Sequence, residues 1–144
     1  MPGPSALPPI SKGILKLARQ IDATLVPDHV EVEPGEGCVP GQSFENVVAV
    51  VRRCGGSMTL GWSLREQAGV FAEGTPHAVW RSPVRGLIDV TPRTDQQSRI
   101  IFLSDSRIEW DGDAIAPRRL MLHEQPCYCG SGMPFNICHG LAAD

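Results

Sequence analysis

The chain has no apolar run that approaches the 18 or so residues a membrane-spanning helix needs, so no membrane partner is expected. A surplus of positive charge is missing too: 13 Lys and Arg stand against 16 Asp and Glu, a net charge of -3 with His neutral. Nucleic-acid binders usually carry a basic patch. Here the basic residues are scattered, with Arg52-Arg53 and Arg118-Arg119 the only adjacent pairs, and no nucleic-acid partner is expected. Residues 1–10 hold four prolines but no basic stretch followed by an apolar one, so no secretory signal is visible. The expectation is a soluble protein of a reducing compartment, with the cytoplasm as default. Internal repeats and low-complexity tracts beyond the proline-rich start are absent, and a mean hydropathy of -0.09 with 20% charged residues is ordinary globular composition.

Glycine and proline, by contrast, are plentiful. The 15 Gly and 13 Pro work against a bundle of long helices, because both residues interrupt element interiors. A length of 144 residues suits one domain and a small appendage. The division expected is a proline-rich arm over 1–10, a domain over 11–122 and an appendage over 123–144.

Ser11 is a suitable N-cap for a helix over residues 11–23, where Ile14, Leu15, Leu17, Ala18 and Ile21 form a partly amphipathic face. Residues 29–33 alternate polar and apolar, as a half-buried strand does. In residues 43–54, Phe44, Val47, Val48 and Val51 fall at i, i+3, i+4 and i+7, with Ser43 as N-cap and Gly55-Gly56 as stop. Short strand signals follow at 57–64, 69–72, 77–81, 86–90 and 99–103, separated by Glu73-Gly74-Thr75-Pro76 and Ser82-Pro83 loops, a spacing that suits an antiparallel meander. Residues 118–122 read as a last strand. The fold class expected is α+β, a small and mostly antiparallel sheet with one or two packed helices.

The five cysteines are unevenly placed: Cys127, Cys129 and Cys138 crowd the end of the chain, and His139 follows the third. Residues 127–140 read Cys-Tyr-Cys-Gly-Ser-Gly-Met-Pro-Phe-Asn-Ile-Cys-His-Gly, a C-x-C-x8-C-H pattern. Three thiolates and one imidazole match the four tetrahedral donors that Zn²⁺ prefers, and four protein ligands leave no open position for catalysis. A stretch this short has no core of its own, so metal binding would supply its folding energy. The segment resembles the SEC-C zinc motif, best known from the tail of SecA preprotein translocases, at both Cys-x-Cys-Gly-Ser-Gly and Cys-His-Gly. The resemblance implies one structural Zn²⁺ on Cys127, Cys129, Cys138 and His139, a zinc knuckle in a module often used to dock protein partners. It departs from the usual motif in Met133-Pro134-Phe135-Asn136-Ile137, which carries no charge where lysines or arginines are common. Met133, Phe135 and Ile137 either pack on the main domain or offer an apolar contact to a partner.

Upstream, His77 and Asp89 fall on consecutive expected strands. If the 82–85 turn pairs them, Asp89 orients His77 through one ring nitrogen. A nucleophile at a helix N-terminus would complete the set, because the helix dipole and its free N–H groups favour anions there. Ser43 occupies that place. Cys38 is the thiol outside the tail expected to be accessible, whereas Cys54 reads as core. Trp62 and Trp80 either line a groove or fill the core, and tryptophans more often do the second. The bland alternative is a structural strand histidine and an Asp-x-Thr-Pro strand end.

A nucleophile on a helix followed by His and Asp on strands is similar to the papain, NlpC and transglutaminase group of thiol enzymes. The segments Ser43-Phe44-Glu45-Asn46-Val47, Gly55-Gly56, Gly61-Trp62, His77-Ala78-Val79-Trp80 and Asp89-Val90-Thr91-Pro92 also resemble bacterial proteins that end in SEC-C motifs. In those the position before Phe-x-Asn-Val is usually cysteine; here it is serine, which leaves a lost thiol, a serine nucleophile or a Cys-to-Ser replacement as readings. The resemblance implies a papain- or transglutaminase-like fold with Ser43 at the nucleophile place, His77 as base and Asp89 as orienter. Two functions follow as expectations. One is a hydrolase or acyl-transfer enzyme acting on a protein or peptide substrate, and the other a non-catalytic zinc adaptor that docks a protein partner.

Overall fold

Ser11 begins the first helix as its side chain predicts, accepting the Ile14 backbone N–H at 3.2 Å, while its hydroxyl donates to Glu66. The computed structural model describes residues 8–110 and 118–121. In chain order the elements are α1 (Lys12–Ile21), β1 (Asp28–Val32), α2 (Ser43–Cys54), β2 (Ser57–Gln67), β3 (Phe71–Ser82), β4 (Gly86–Asp89), β5 (Arg99–Ser104) and β6 (Arg118–Met121). The α+β class holds. No helix among the described residues is long and apolar enough to cross a membrane. The arm is described only from residue 8, and the expected zinc knuckle with Cys127, Cys129, Cys138 and His139 lies outside the described residues.

The sheet is mixed and closes into a small barrel. Its strands run β2-β5-β1-β4-β3, and β3 pairs back onto β2 along their whole length, from Ser57↔Arg81 to Gln67↔Phe71. One pair, β1 with β4, is parallel, and the others are antiparallel. The meander expectation is therefore corrected: β1 inserts between β4 and β5, strands that follow it far down the chain. Alternation gives a strand's two faces but not its neighbour, so the parallel pairing left no local signal.

A second correction concerns the expected loop at residues 73–76, which lies inside β3. Proline removes a ladder donor and is tolerated where a strand lacks a partner on one side. That condition is met at Pro76, because β6 pairs β3 over Phe71–Gly74 and β4 pairs it over Trp80–Ser82, leaving only β2 between them.

Strand alternation builds three clusters. Ile14, Leu17, Ala18 and Ile21 of α1 pack on Trp62, Leu64, Ala72, Leu103 and Leu120. Val47 and Val50 of α2 pack on Ala78, Ile88 and Val90. On the opposite strand faces, Val30, Val79, Ile100 and Phe102 fill the inside of the barrel. Each Val, Leu, Ile or Phe side chain taken from water contributes about 1.5–3 kcal/mol.

The buried face of α2 differs from the expected stripe: Ser43, Asn46, Val47 and Val50 are buried, and Phe44 and Val51 only partly so. Polar side chains with assigned partners turned the helix, as described below. Cys54, expected in the core, is exposed at the last residue of α2, and Cys38, expected accessible, is half-buried against the α2 cluster. Trp62 is core and donates its indole N–H to Asp105 at 3.0 Å. The Arg107 guanidinium holds the Asp105 carboxyl far below the usual carboxylate range, against the effect of burial and with help from the Trp62 indole. Arg107 also donates to the Ile21 carbonyl, which ties the end of α1 to the barrel. Trp80 is partly buried and donates to the Gly55 carbonyl at 2.8 Å.

Candidate functional site

Strands β3 and β4 form a hairpin only at its tip, through Trp80↔Ile88, Arg81↔Leu87 and Ser82↔Gly86. Beyond Ile88 they part, while β4 stays paired to its parallel partner β1, with Asp89 opposite Val32. The first turn of α2 enters this split and bonds to both sides of it. Ser43 Oγ accepts the Ala78 N–H at 3.1 Å, and Asn46 Nδ2 donates to Thr91 Oγ1 at 2.9 Å. His77 precedes Ala78, and Asp89 lies two residues before Thr91. The helix start therefore bridges the two strands that carry the histidine and the aspartate.

His77 Nε2 lies 3.0 Å from Asp89 Oδ1; the His77 side chain is 13% exposed and that of Asp89 0%. The ring N–H does not aim along this contact. Nε2 and Asp89 Oδ2 are the buried side-chain polar atoms without a hydrogen-bond partner among the described residues. Asp89 Oδ1 also accepts the Thr91 N–H at 3.2 Å, the local turn of the bland Asp-x-Thr reading, so turn and histidine contact share one oxygen. Nε2 is the ring nitrogen beside the carboxylate, so a third group would meet the ring at Nδ1.

Ser43, His77 and Asp89 all line one cleft of about 1020 Å³, together with Gly41, Pro76 and Arg93. The structure thus brings the three expected residues to one place. It differs from expectation at Ser43, which is the first helical residue and not the N-cap; Gln42 is the N-cap and makes no side-chain cap bond. Among the described residues no hydrogen bond links Ser43 Oγ to His77. The first intrahelical bond runs from Asn46 N–H to the Gln42 carbonyl at 2.9 Å, so the N–H groups of Ser43, Phe44 and Glu45 precede it at the positive end of the helix.

At the rim, Arg93 is held by two bonds to Asp95, Nε to Oδ1 at 2.9 Å and Nη2 to Oδ2 at 2.8 Å. This guanidinium, with the Gln97 N–H, brings the Asp95 carboxyl down to about 2. Trp80, the tryptophan on the histidine strand, does not line the cleft. Among the described residues no group of three or more His, Cys, Asp or Glu is placed to hold a metal ion.

Asn46 and Thr91 are the site residues that sequence reading passed over. Asn46 lies off the apolar stripe of Phe44, Val47, Val48 and Val51, so its burial, and the partners a buried amide needs, follow from the docking of α2. No family model matches the chain, and no curated protein or solved structure matches it either.

Proposed function

We propose that the domain is a papain- or transglutaminase-like hydrolase or acyl-transfer fold acting on an amide or thioester of a protein or peptide, with Ser43 at the nucleophile place. The observation that carries this reading is the buried His77–Asp89 contact of 3.0 Å, facing a cleft that the N-terminus of α2 reaches with Ser43. In the step proposed, the group at position 43 attacks the carbonyl carbon and its proton passes to His77 Nδ1. Asp89 orients the ring and steadies the charge it gains. Backbone N–H groups at the start of α2 receive the developing oxyanion. His77 then returns the proton to the departing amine or thiol, which leaves an acyl group on residue 43 for transfer to water or an amine.

The test uses the Ser43→Cys variant with iodoacetamide, followed at residue 43 by peptide mass mapping because Cys54 is exposed and reacts independently. Alkylation at residue 43 is expected to slow when His77→Ala is added. Equal rates would overturn the reading.

A second reading draws support from Ser43 itself, whose Oγ accepts the Ala78 N–H and so acts as a strut between helix and strand. On that reading the protein is a non-catalytic zinc adaptor that docks a protein partner. Both readings include one structural Zn²⁺ on Cys127, Cys129, Cys138 and His139, a donor set suited to tetrahedral zinc. Freshly purified, unchelated protein is expected to contain about one zinc per chain, and Cys129→Ser to lower that content. Less than about half an equivalent in the parent would contradict the zinc assignment.

A further inference from the structure

Asn46 is buried and uses every polar atom of its side chain. Its Oδ1 accepts the Val39 N–H at 3.0 Å, and its Nδ2 donates to the Val39 carbonyl at 2.8 Å and to Thr91 Oγ1 at 2.9 Å. An amide supplies one acceptor site and two donors in one plane, which is what closing on both groups of Val39 while reaching Thr91 requires. A carboxylate at position 46 would lack both donors and would set an anionic oxygen against the Val39 carbonyl.

Val39 belongs to the segment leading into Ser43, and its side chain is half exposed. Nearby backbone bonds, Cys38 N–H to Gly35 O at 3.1 Å and Gln42 N–H to Val39 O at 3.4 Å, are local to the loop. Asn46 thus anchors this segment to the folded body. On its other side Thr91 is buried, its own N–H holds Asp89 Oδ1, and that oxygen faces His77. One amide therefore connects the backbone ahead of Ser43 with the strand end that carries Asp89.

We infer that Asn46, through Thr91, is a positioning residue of the Ser43–His77–Asp89 site, holding the chain ahead of Ser43 at a fixed offset from the Asp89 turn. The inference rests on the catalytic reading proposed above. Its effect is geometric: a displacement of about 1 Å between reacting groups is enough to slow a reaction by up to about a hundredfold.

The experiment compares variants built on Ser43→Cys, alkylated with iodoacetamide and read at residue 43, with unfolding temperatures recorded alongside. Thr91→Val keeps the shape and removes the hydroxyl, and it is expected to lower the rate about tenfold. Thr91→Ser, which retains the hydroxyl, is expected to restore the rate to within about twofold of the parent. Asn46→Asp, of the same size, is expected to fall at least as far as Thr91→Val, and it decides the matter if Thr91→Val does not fold. A reactive parent unaffected by Thr91→Val or Asn46→Asp would overturn the inference, as would Thr91→Ser falling as far as Thr91→Val. If the parent reacts no faster than its His77→Ala derivative, the catalytic reading itself is overturned, which is a separate result.

Discussion

Exchanging Asp89 for asparagine is expected to lower reactivity at residue 43 while leaving the fold at least as stable. On the Ser43→Cys background, alkylation should fall about a hundredfold, close to the loss from His77→Ala, because both changes remove proton transfer to an oriented base. The stability side follows from burial. Asp89 is 0% exposed, and its Oδ2 has no partner among the described residues. A carboxylate in that setting gives up its hydration without a full set of partners, and the isosteric amide, being neutral, costs less to bury. Asparagine keeps an oxygen for the Thr91 N–H, so the strand-end turn survives. Asparagine does not keep the negative charge that steadies an imidazolium. Thermal unfolding should therefore shift upward by up to a few degrees or not at all. A residue serving only the fold would give the reverse pattern, a lower unfolding temperature with unchanged reactivity. That result would assign Asp89 to the turn alone.

What the sequence made legible was what depends on near neighbours. Ser11 and the Gly55-Gly56 stop mark ends of α1 and α2 because caps act within one turn of the chain. His77 and Asp89 came together because the turn between them is short and hairpin pairing is local. The barrel was not legible, since its closure depends on β1 taking β4 and β5 as neighbours, a choice made by packing between distant segments. Pro76 hid the continuity of β3, because proline interrupts a strand unless one side is open, and openness is a property of the assembled sheet.

The site divides in the same way. The roles of Asn46 and Thr91 appear only when α2 docks in the split, since their bond spans 45 residues. That docking also sets which face of α2 is buried. A purely apolar reading placed the face on Phe44, Val47, Val48 and Val51; Val47 is buried as expected, and the satisfied bonds of Ser43 and Asn46 draw the rest of the face round toward those two polar residues. The zinc ligands are the opposite case, a complete donor set within a few residues that needs no distant partner to be read.

The largest loss of stability is expected from Gly61→Ala, about 3 kcal/mol or more. Gly61 lies in β2 where that strand is paired on both sides, with His77 of β3 and with Ser104 of β5. A Cβ there would fall on the Leu103 carbonyl oxygen and stand 2.7 Å from Phe102 Cζ and 2.9 Å from the Leu103 carbonyl carbon. Two of these atoms are backbone held in a ladder, and Phe102 fills the inside of the barrel, so none is free to yield. The chain would have to open the β2–β5 ladder, one of the pairings that hold the barrel together. For a domain of this size the loss corresponds to roughly 10 °C in unfolding temperature, measurable by far-ultraviolet circular dichroism. Gly86→Ala is the comparison. Gly86 has a φ of 80° but nothing within 4 Å of an added Cβ, so only backbone strain of about 1–2 kcal/mol is expected. If Gly61→Ala unfolds no earlier than Gly86→Ala, the β2–β5 contact is looser than described. The consequence reaches the site, because the ladder that absorbs the clash also fixes His77 opposite Gly61. Opening the β2–β5 ladder is therefore expected to lower reactivity at residue 43 as well, in a variant that alters no residue of the cleft.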